Sequence, residues 1–221
     1  MSLIRGIIRR AERFLKLAGN FEQRSPEFLH SFSESSSLDN WRSWSDSAFG
    51  GFSQAQLQHD EIEGTAKFFG TYSTKLPTPT EGSPKLSRSG FAGISTKITG
   101  QWTDLAGFDT LVYRVKTDGR VYLANLRTDN WLLGGPSEDV WQAVLRTRAS
   151  SQWEEVEIPI DSFILTHRGK VVPGRQEMHT GRVISMGIAI AAAGEKLQPE
   201  GPFCLELAWI KAKNRGAPVQ G

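Results

Sequence analysis

Apolar and polar residues alternate with a period of two along most of the chain, the spacing of side chains that point to opposite faces of a strand. The runs are Phe28 to Phe32, 65–73, 91–98, 110–117, 120–128, 140–147, 153–160, 183–192 and 203–212, separated by segments rich in Gly, Pro, Ser, Asn and Asp. In 120–128, Val121 and Leu123 oppose Tyr122, Ala124 and Leu126. In 203–212, Phe203, Leu205, Leu207 and Trp209 share a face, which predicts that Trp209 is core. Asp118-Gly119, between two runs, predicts a type I′ hairpin turn. A Ser-rich turn with one helical turn from Ser37 follows the first run. No long helical pattern appears after residue 45, so eight or nine antiparallel strands predict an all-β, two-sheet sandwich of jelly-roll kind.

The first twenty residues break this rhythm. Ile4, Ile7, Ile8, Ala11, Leu15 and Ala18 recur at helical spacing, while Arg5, Arg9, Arg13 and Lys16 follow a second stripe. This predicts a basic amphipathic arm over 1–20, closed by Gly19-Asn20. An Arg-rich, acid-poor start of this kind suits mitochondrial targeting or a helix lying on an anionic membrane, and a helix packed on the body is the plainer alternative. Residues 21–212 form the sandwich domain in this reading, with a surface excursion at 75–90 and a frayed tail at 213–221.

Composition narrows the class. The 221 residues are 38% hydrophobic and 23% charged, enough for one sizeable core. A single cysteine, Cys204, leaves no disulfide framework and no cysteine-based zinc site. Five basic residues and one acid give the arm a charge of +4, so the remaining 21 basic and 23 acidic residues leave the body at −2. That balance argues against a nucleic-acid partner. No apolar run approaches the roughly 20 residues that span a bilayer.

The densest chemistry lies in "WRSWSDSAFGGFS", residues 41–53. "GGFSQ" lacks the final glycine of a nucleophile elbow and no helix follows, so it is no hydrolase serine. His30, His59, His167 and His179 are too scattered for a metal site, and no Gly-rich phosphate loop is present. Asp46, Asp109, Asp129, Glu138, Asp139 and Glu206 are the carboxylates that a sandwich glycosidase would draw on, although spacing pairs none of them. Trp131, in a loop, is the best ring for stacking on a sugar. No cofactor is expected and the chain reads as a non-enzyme.

The order of "HSF" (30–32), "WRSWSDSAFGGFSQAQL" (41–57), "GTAKFFGTYS" (64–73), "RSGFAGI" (88–94), "DLAGFDTLVYRVKTDGRVY" (104–122), "SQWEEVEIPIDSFILTHRG" (151–169), "PGRQEMHTGRVISMGIAI" (173–190) and "FCLELAWIKA" (203–212) resembles the complex I intermediate-associated protein family. The resemblance covers about residues 28–212. "ILTHRG" departs from the family's commoner P-T-x-R-G but keeps Thr166, Arg168 and Gly169. The resemblance implies a galactose-binding-type jelly roll and a non-catalytic assembly factor for respiratory NADH:ubiquinone oxidoreductase. It implies a place in the mitochondrial matrix, peripheral to the inner membrane, with membrane-arm subunits and other assembly factors as partners. Plastid members of the family and carbohydrate-binding modules of the same shape supply the alternatives. Within it, Trp44, Ser45, Asp46, Gly50, Gly51, Ser53, Arg88, Phe91, Trp131 and Arg168 are the candidate partner-binding or loop-shaping residues. The glycines are expected to supply positive φ or close approach, and the serines and aspartate local backbone bonds.

Overall fold

A computed structural model of the protein describes residues 24–76, 89–129, 138–148, 151–174, 176–191 and 198–215. The arm over 1–20, the core of the 75–90 excursion and most of the tail lie outside these residues. Among the described residues there are thirteen strands: β1 (Glu27–Ser31), β2 (Trp41–Ser45), β3 (Gln54–Asp60), β4 (Thr65–Tyr72), β5 (Phe91–Thr96), β6 (Thr110–Thr117), β7 (Tyr122–Thr128), β8 (Asp139–Leu145), β9 (Glu154–Pro159), β10 (Ile164–His167), β11 (Lys170–Val171), β12 (Val183–Ala191) and β13 (Gly201–Lys213). They form two antiparallel sheets. Sheet 1 runs β3-β4-β13-β6-β9, with β1 also paired to β13; sheet 2 runs β11-β10-β8-β7-β12-β5-β2.

The period-two alternation becomes burial. Phe68, Tyr113, Val115, Phe203, Leu205 and Leu207 of sheet 1 face Ile94, Tyr122, Leu126, Met186 and Ile188 of sheet 2, and all are buried. Phe68 joins the layers, its ring 4.9 Å from Phe203 and 6.4 Å from Tyr122. Aromatic pairs held edge to face add about 0.5–1.5 kcal/mol to their area burial.

Two expectations are corrected. Trp209 is not core: the register of β13 against β6 shifts between Leu207 and Trp209. That bulge moves Trp209 to the outer face, where its ring meets Phe28 at 5.8 Å, while Ile210 takes the inner position. The turn at 117–120 is not a hairpin, because β6 belongs to sheet 1 and β7 to sheet 2. Only Gly119 has a positive φ there, 82°, and Asp118 holds the corner by accepting from the N–H groups of Arg120 (3.1 Å) and Cys204 (2.9 Å) and from the Tyr122 hydroxyl (3.0 Å). The helical turn near Ser37 is a 3-10 turn over Ser35–Leu38. Four strands, β2, β3, β10 and β11, fall where the alternation had marked none.

Candidate functional site

The stretch 41–53 is the crossing between the two sheets. The chain leaves the edge of sheet 2 at the end of β2, makes a 3-10 turn over Asp46–Phe49, and enters the edge of sheet 1 as β3. Gly50 closes the turn in the left-handed region at φ 88°, where a residue without Cβ is unstrained.

Asp46 is fully buried at the centre of this crossing. Its Oδ1 accepts from the Ser53 N–H at 2.8 Å. Its Oδ2 accepts from the Gly90 N–H at 2.6 Å and the Phe91 N–H at 3.3 Å, and lies 3.0 Å from the Ser53 hydroxyl. That hydroxyl also lies 3.1 Å from the Ser73 carbonyl and accepts from the Ser73 N–H at 3.2 Å. One carboxylate thus ties the crossing to the start of β5, and Ser53 ties it to the end of β4. A buried charge is tolerated when its lone pairs are filled in this way. The carboxylate meets donors on every side, the arrangement of a tether. Beside it, burial and then the charges of Glu200 and Asp46 push the Tyr72 phenol up.

The two glycines have different reasons. Gly50 needs its positive φ, whereas Gly51 has no positive φ and a Cβ there would overlap the Asp46 carboxyl. Ser45 and Ser47 bond to each other at 2.7 Å.

On the outside of this tether sits a cluster of rings. Trp44 lies against Gly93, where any Cβ would meet its indole. Phe91 stands 6.3 Å from Trp44 and 6.5 Å from Phe49, and Phe49 is 50% exposed. The Phe49 ring is thus left half in water on a turn that is bonded from below. Trp44 and Phe91 were among the sequence candidates. Phe49 was missed, since nothing in its neighbours marks which way a 3-10 turn will face it.

Trp44, Ser45, Asp46, Gly50, Gly51, Ser53 and Phe91 therefore gather at one corner. Arg168 lies at the far edge of sheet 2, in the turn between β10 and β11 at φ 51°, bonded to the Glu138 carboxylate. The bond with Arg168 holds the Glu138 carboxyl below the usual range. Arg88 and Trp131 lie outside the described residues. A separate cavity of about 600 Å³, walled by Trp141, Phe163, Leu165 and Met178, takes in Asp109 of the candidate carboxylates and none of the candidate partner-binding residues.

The other carboxylates are engaged as well. Asp109 accepts from the Arg215 N–H at 3.0 Å, Asp129 pairs with Arg182 at 3.4 Å, Asp139 with His167 at 2.8 Å and Glu206 with Lys116 at 3.2 Å. His59 bonds the Phe32 carbonyl at 2.9 Å, and His30 stands edge-on to Trp41 at 5.1 Å, where burial lowers its pKa to about 4. Among the described residues no three metal-ligating side chains come together.

A sequence profile described as complex I intermediate-associated protein 30 (CIA30) matches residues 30–207. The chain is similar to "Complex I intermediate-associated protein 30, mitochondrial" of Mus musculus, 27% identical over 184 residues, 81% of this chain and 53% of the mouse protein. It is similar to the protein of the same description from Neurospora crassa, 29% identical over 215 residues, 83% of this chain and 73% of that one. The chain thus spans about half the length of the mouse relative. Among solved structures it is similar to the family 11 carbohydrate-binding module of the Clostridium thermocellum cellulase Lic26A-Cel5E, with a TM-score of 0.56, 16% identity, and coverage of 86% of this chain and 95% of that one. That likeness is one of fold.

Proposed function

We propose, from the premise that the chain belongs to the complex I intermediate-associated protein 30 family, that it is a non-catalytic assembly factor which binds membrane-arm intermediates of mitochondrial complex I. The observation that carries the reading at the level of the site is the corner of 41–53. Its buried polar residues, Ser45, Asp46 and Ser53, are held by hydrogen bonds within the fold, and the apolar surface beside them is the ring cluster of Trp44, Phe49 and Phe91. Such a surface binds by burying rings, at about 25 cal/mol per Å² of apolar area removed from water, and carries out no chemistry on what it holds. An intermediate awaiting its neighbouring subunits exposes apolar surface of the matching kind.

The reading places the protein in the mitochondrial matrix, peripheral to the inner membrane, with membrane-arm subunits and other assembly factors as partners. Among the described residues no helix is long and apolar enough to cross a membrane. The carbohydrate-binding alternative draws on fold likeness and on Trp131, and a glycan panel on which the chain binds nothing removes it.

The test is a native-gel separation of organelle membranes carrying the tagged chain, with mass spectrometry along the lane. Co-migration with membrane-arm subunits in assemblies smaller than the finished enzyme is the expected result. Migration only near 24.5 kDa, or with plastid proteins, overturns the reading.

A further inference from the structure

An edge strand presents a row of backbone N–H and C=O groups that only another extended backbone can match, and proteins guard such edges with charge, proline or brevity. The two sheet paths end in four edge strands, and β1, which lies off the path of sheet 1 and pairs with β13 alone among the described residues, adds a short fifth of five residues that opens on Glu27. The edge strand β9 reads Glu-Glu-Val-Glu-Ile-Pro, β2 carries Arg42, and β11 has two residues. The fourth, β3, reads Gln-Ala-Gln-Leu-Gln-His-Asp, seven residues with no lysine, arginine, glutamate or proline. Among the described residues it pairs with β4 alone. At roughly 3.4 Å per residue it is an open edge about 24 Å long.

The sequence around this edge is self-complementary. Antiparallel pairing of β3 with a second β3, centred on Leu57, places Gln56 opposite Gln58 and Gln54 opposite Asp60, all on the outer face. It also places position 52 opposite position 62. Those two positions are Phe52, 53% exposed, and Ile62, 95% exposed, the large apolar residues that flank the strand in the turns at either end. Amide meets amide, amide meets carboxylate, and apolar meets apolar, twice over. Ala55 and Leu57 are only partly buried at the present edge and would be covered.

We infer that a second copy of this chain docks on β3, edge to edge about a two-fold axis at Leu57, so that two copies of sheet 1 become one continuous sheet. The pairing is isologous, with the same patch on both copies, and therefore closes at a dimer. The other edges carry the guards that would limit it to this one.

The test uses the purified full chain in sedimentation velocity over a hundredfold range of concentration. A shift from 24.5 kDa toward twice that mass is expected. Gln56→Lys/Gln58→Lys opposes like charges in this register and should weaken dimerisation by tenfold or more, whereas Gln56→Lys/Gln58→Glu opposes unlike charges and should restore it. Both substitutions are on exposed positions, and thermal unfolding checks that each variant is folded. In a Cys204→Ser background, Leu57→Cys should oxidise to a covalent dimer, because directly opposed residues stand about 4.5–5.5 Å apart at Cα. Ala55→Cys, opposite position 59 and not itself, should not. A chain that is monomeric throughout, equal behaviour of the two double variants, or crosslinking at position 55 rather than 57 overturns the inference. None of these outcomes touches the assembly reading, which rests on Trp44, Phe49 and Phe91 rather than on β3; Phe52 alone borders both.

Discussion

Asp46→Asn keeps the shape of the side chain and removes one acceptor and the charge, so it isolates what the carboxylate does. In the wild type, Oδ2 takes the Gly90 N–H at 2.6 Å, the Phe91 N–H at 3.3 Å and the Ser53 hydroxyl at 3.0 Å. Whichever way the amide is turned, its NH₂ group points at N–H donors: at Gly90 and Phe91, or at Ser53, whose N–H lies 2.8 Å from Oδ1. Hydrogen bonds to a charged group contribute about 1.5–3 kcal/mol each, and a buried donor left unmatched costs about 1–3 kcal/mol. Ser53 keeps a second acceptor in the Ser73 carbonyl at 3.1 Å, so the loss falls mainly on one or two backbone donors. The expected destabilisation is roughly 2–4 kcal/mol. At about 2–4 °C per kcal/mol for a chain of this size, the midpoint falls by roughly 4–16 °C. The assay is thermal unfolding for the midpoint and urea unfolding for the free energy, each followed by tryptophan fluorescence and by circular dichroism, with coincident transitions as the check on two-state behaviour. A change of less than about 0.5 kcal/mol, no larger than that of an ordinary surface substitution, would refute the tether.

Gly51→Ala should cost about 1–3 kcal/mol in the same assay, since its Cβ would overlap the Asp46 carboxyl; an unchanged midpoint would mean that the carboxyl can shift freely. Phe49→Ser removes a half-exposed ring, so stability should stay within about 1 kcal/mol while co-migration with assembly intermediates on native gels is lost; unaltered co-migration would acquit the ring cluster. Burial lowers the His30 pKa from 6.5 to about 4, so the unfolded chain binds a proton that the folded chain refuses. The resulting destabilisation is absent above pH 6.5 and grows as the pH falls toward 4. After discounting for the ring's partial exposure it is about 1–2 kcal/mol. His30→Gln should flatten the decline of the midpoint between pH 7 and 4 by that share, and a parallel decline in both proteins would contradict it.

The alternation was legible because strands with one buried face write it directly into the sequence, as in β9 and the first half of β13. It failed where one face carries no strong apolar residue. Ala55, Leu57 and His59 of β3 are its inner positions, and only Leu57 contrasts with the glutamines around it. In β2 the serines of Trp-Arg-Ser-Trp-Ser hide the same pattern. Trp209 went wrong for another reason. A bulge is a mismatch between β13 and β6, strands some ninety residues apart, and leaves no mark on β13 itself. The corner at 117–120 shows the same limit, because turn chemistry marks where the chain reverses but the sheet it joins next depends on distant partners.

The corner at 41–53 was read as structural, and the bonds around Asp46 give the physical reason why its pattern looked like a catalytic loop. In S-D-S-x-x-G-G-x-S three of the four polar positions, Ser45, Asp46 and Ser53, are buried. Ser45 bonds Ser47, Asp46 takes Ser53, Gly90 and Phe91, and Gly51 makes room for the Asp46 carboxyl. A hydrolytic serine would need a base beside it and open space in front, whereas Ser53 is fully buried between Asp46 and the Ser73 backbone. The large side chains that reach solvent stand at x positions, Phe49 and Phe52, each about half exposed. A motif search weights the letters that recur and passes over the ones that do not, so it lands on the tether and misses what the tether presents. Two classes of substitution follow within nine residues. Changes at Asp46, Gly51 or Ser53 should lose binding only in step with stability, while changes at Phe49 should lose binding with stability intact. Plotting complex formation against unfolding free energy for both sets separates them, and a single line through all the points would mean that the rings serve only the fold.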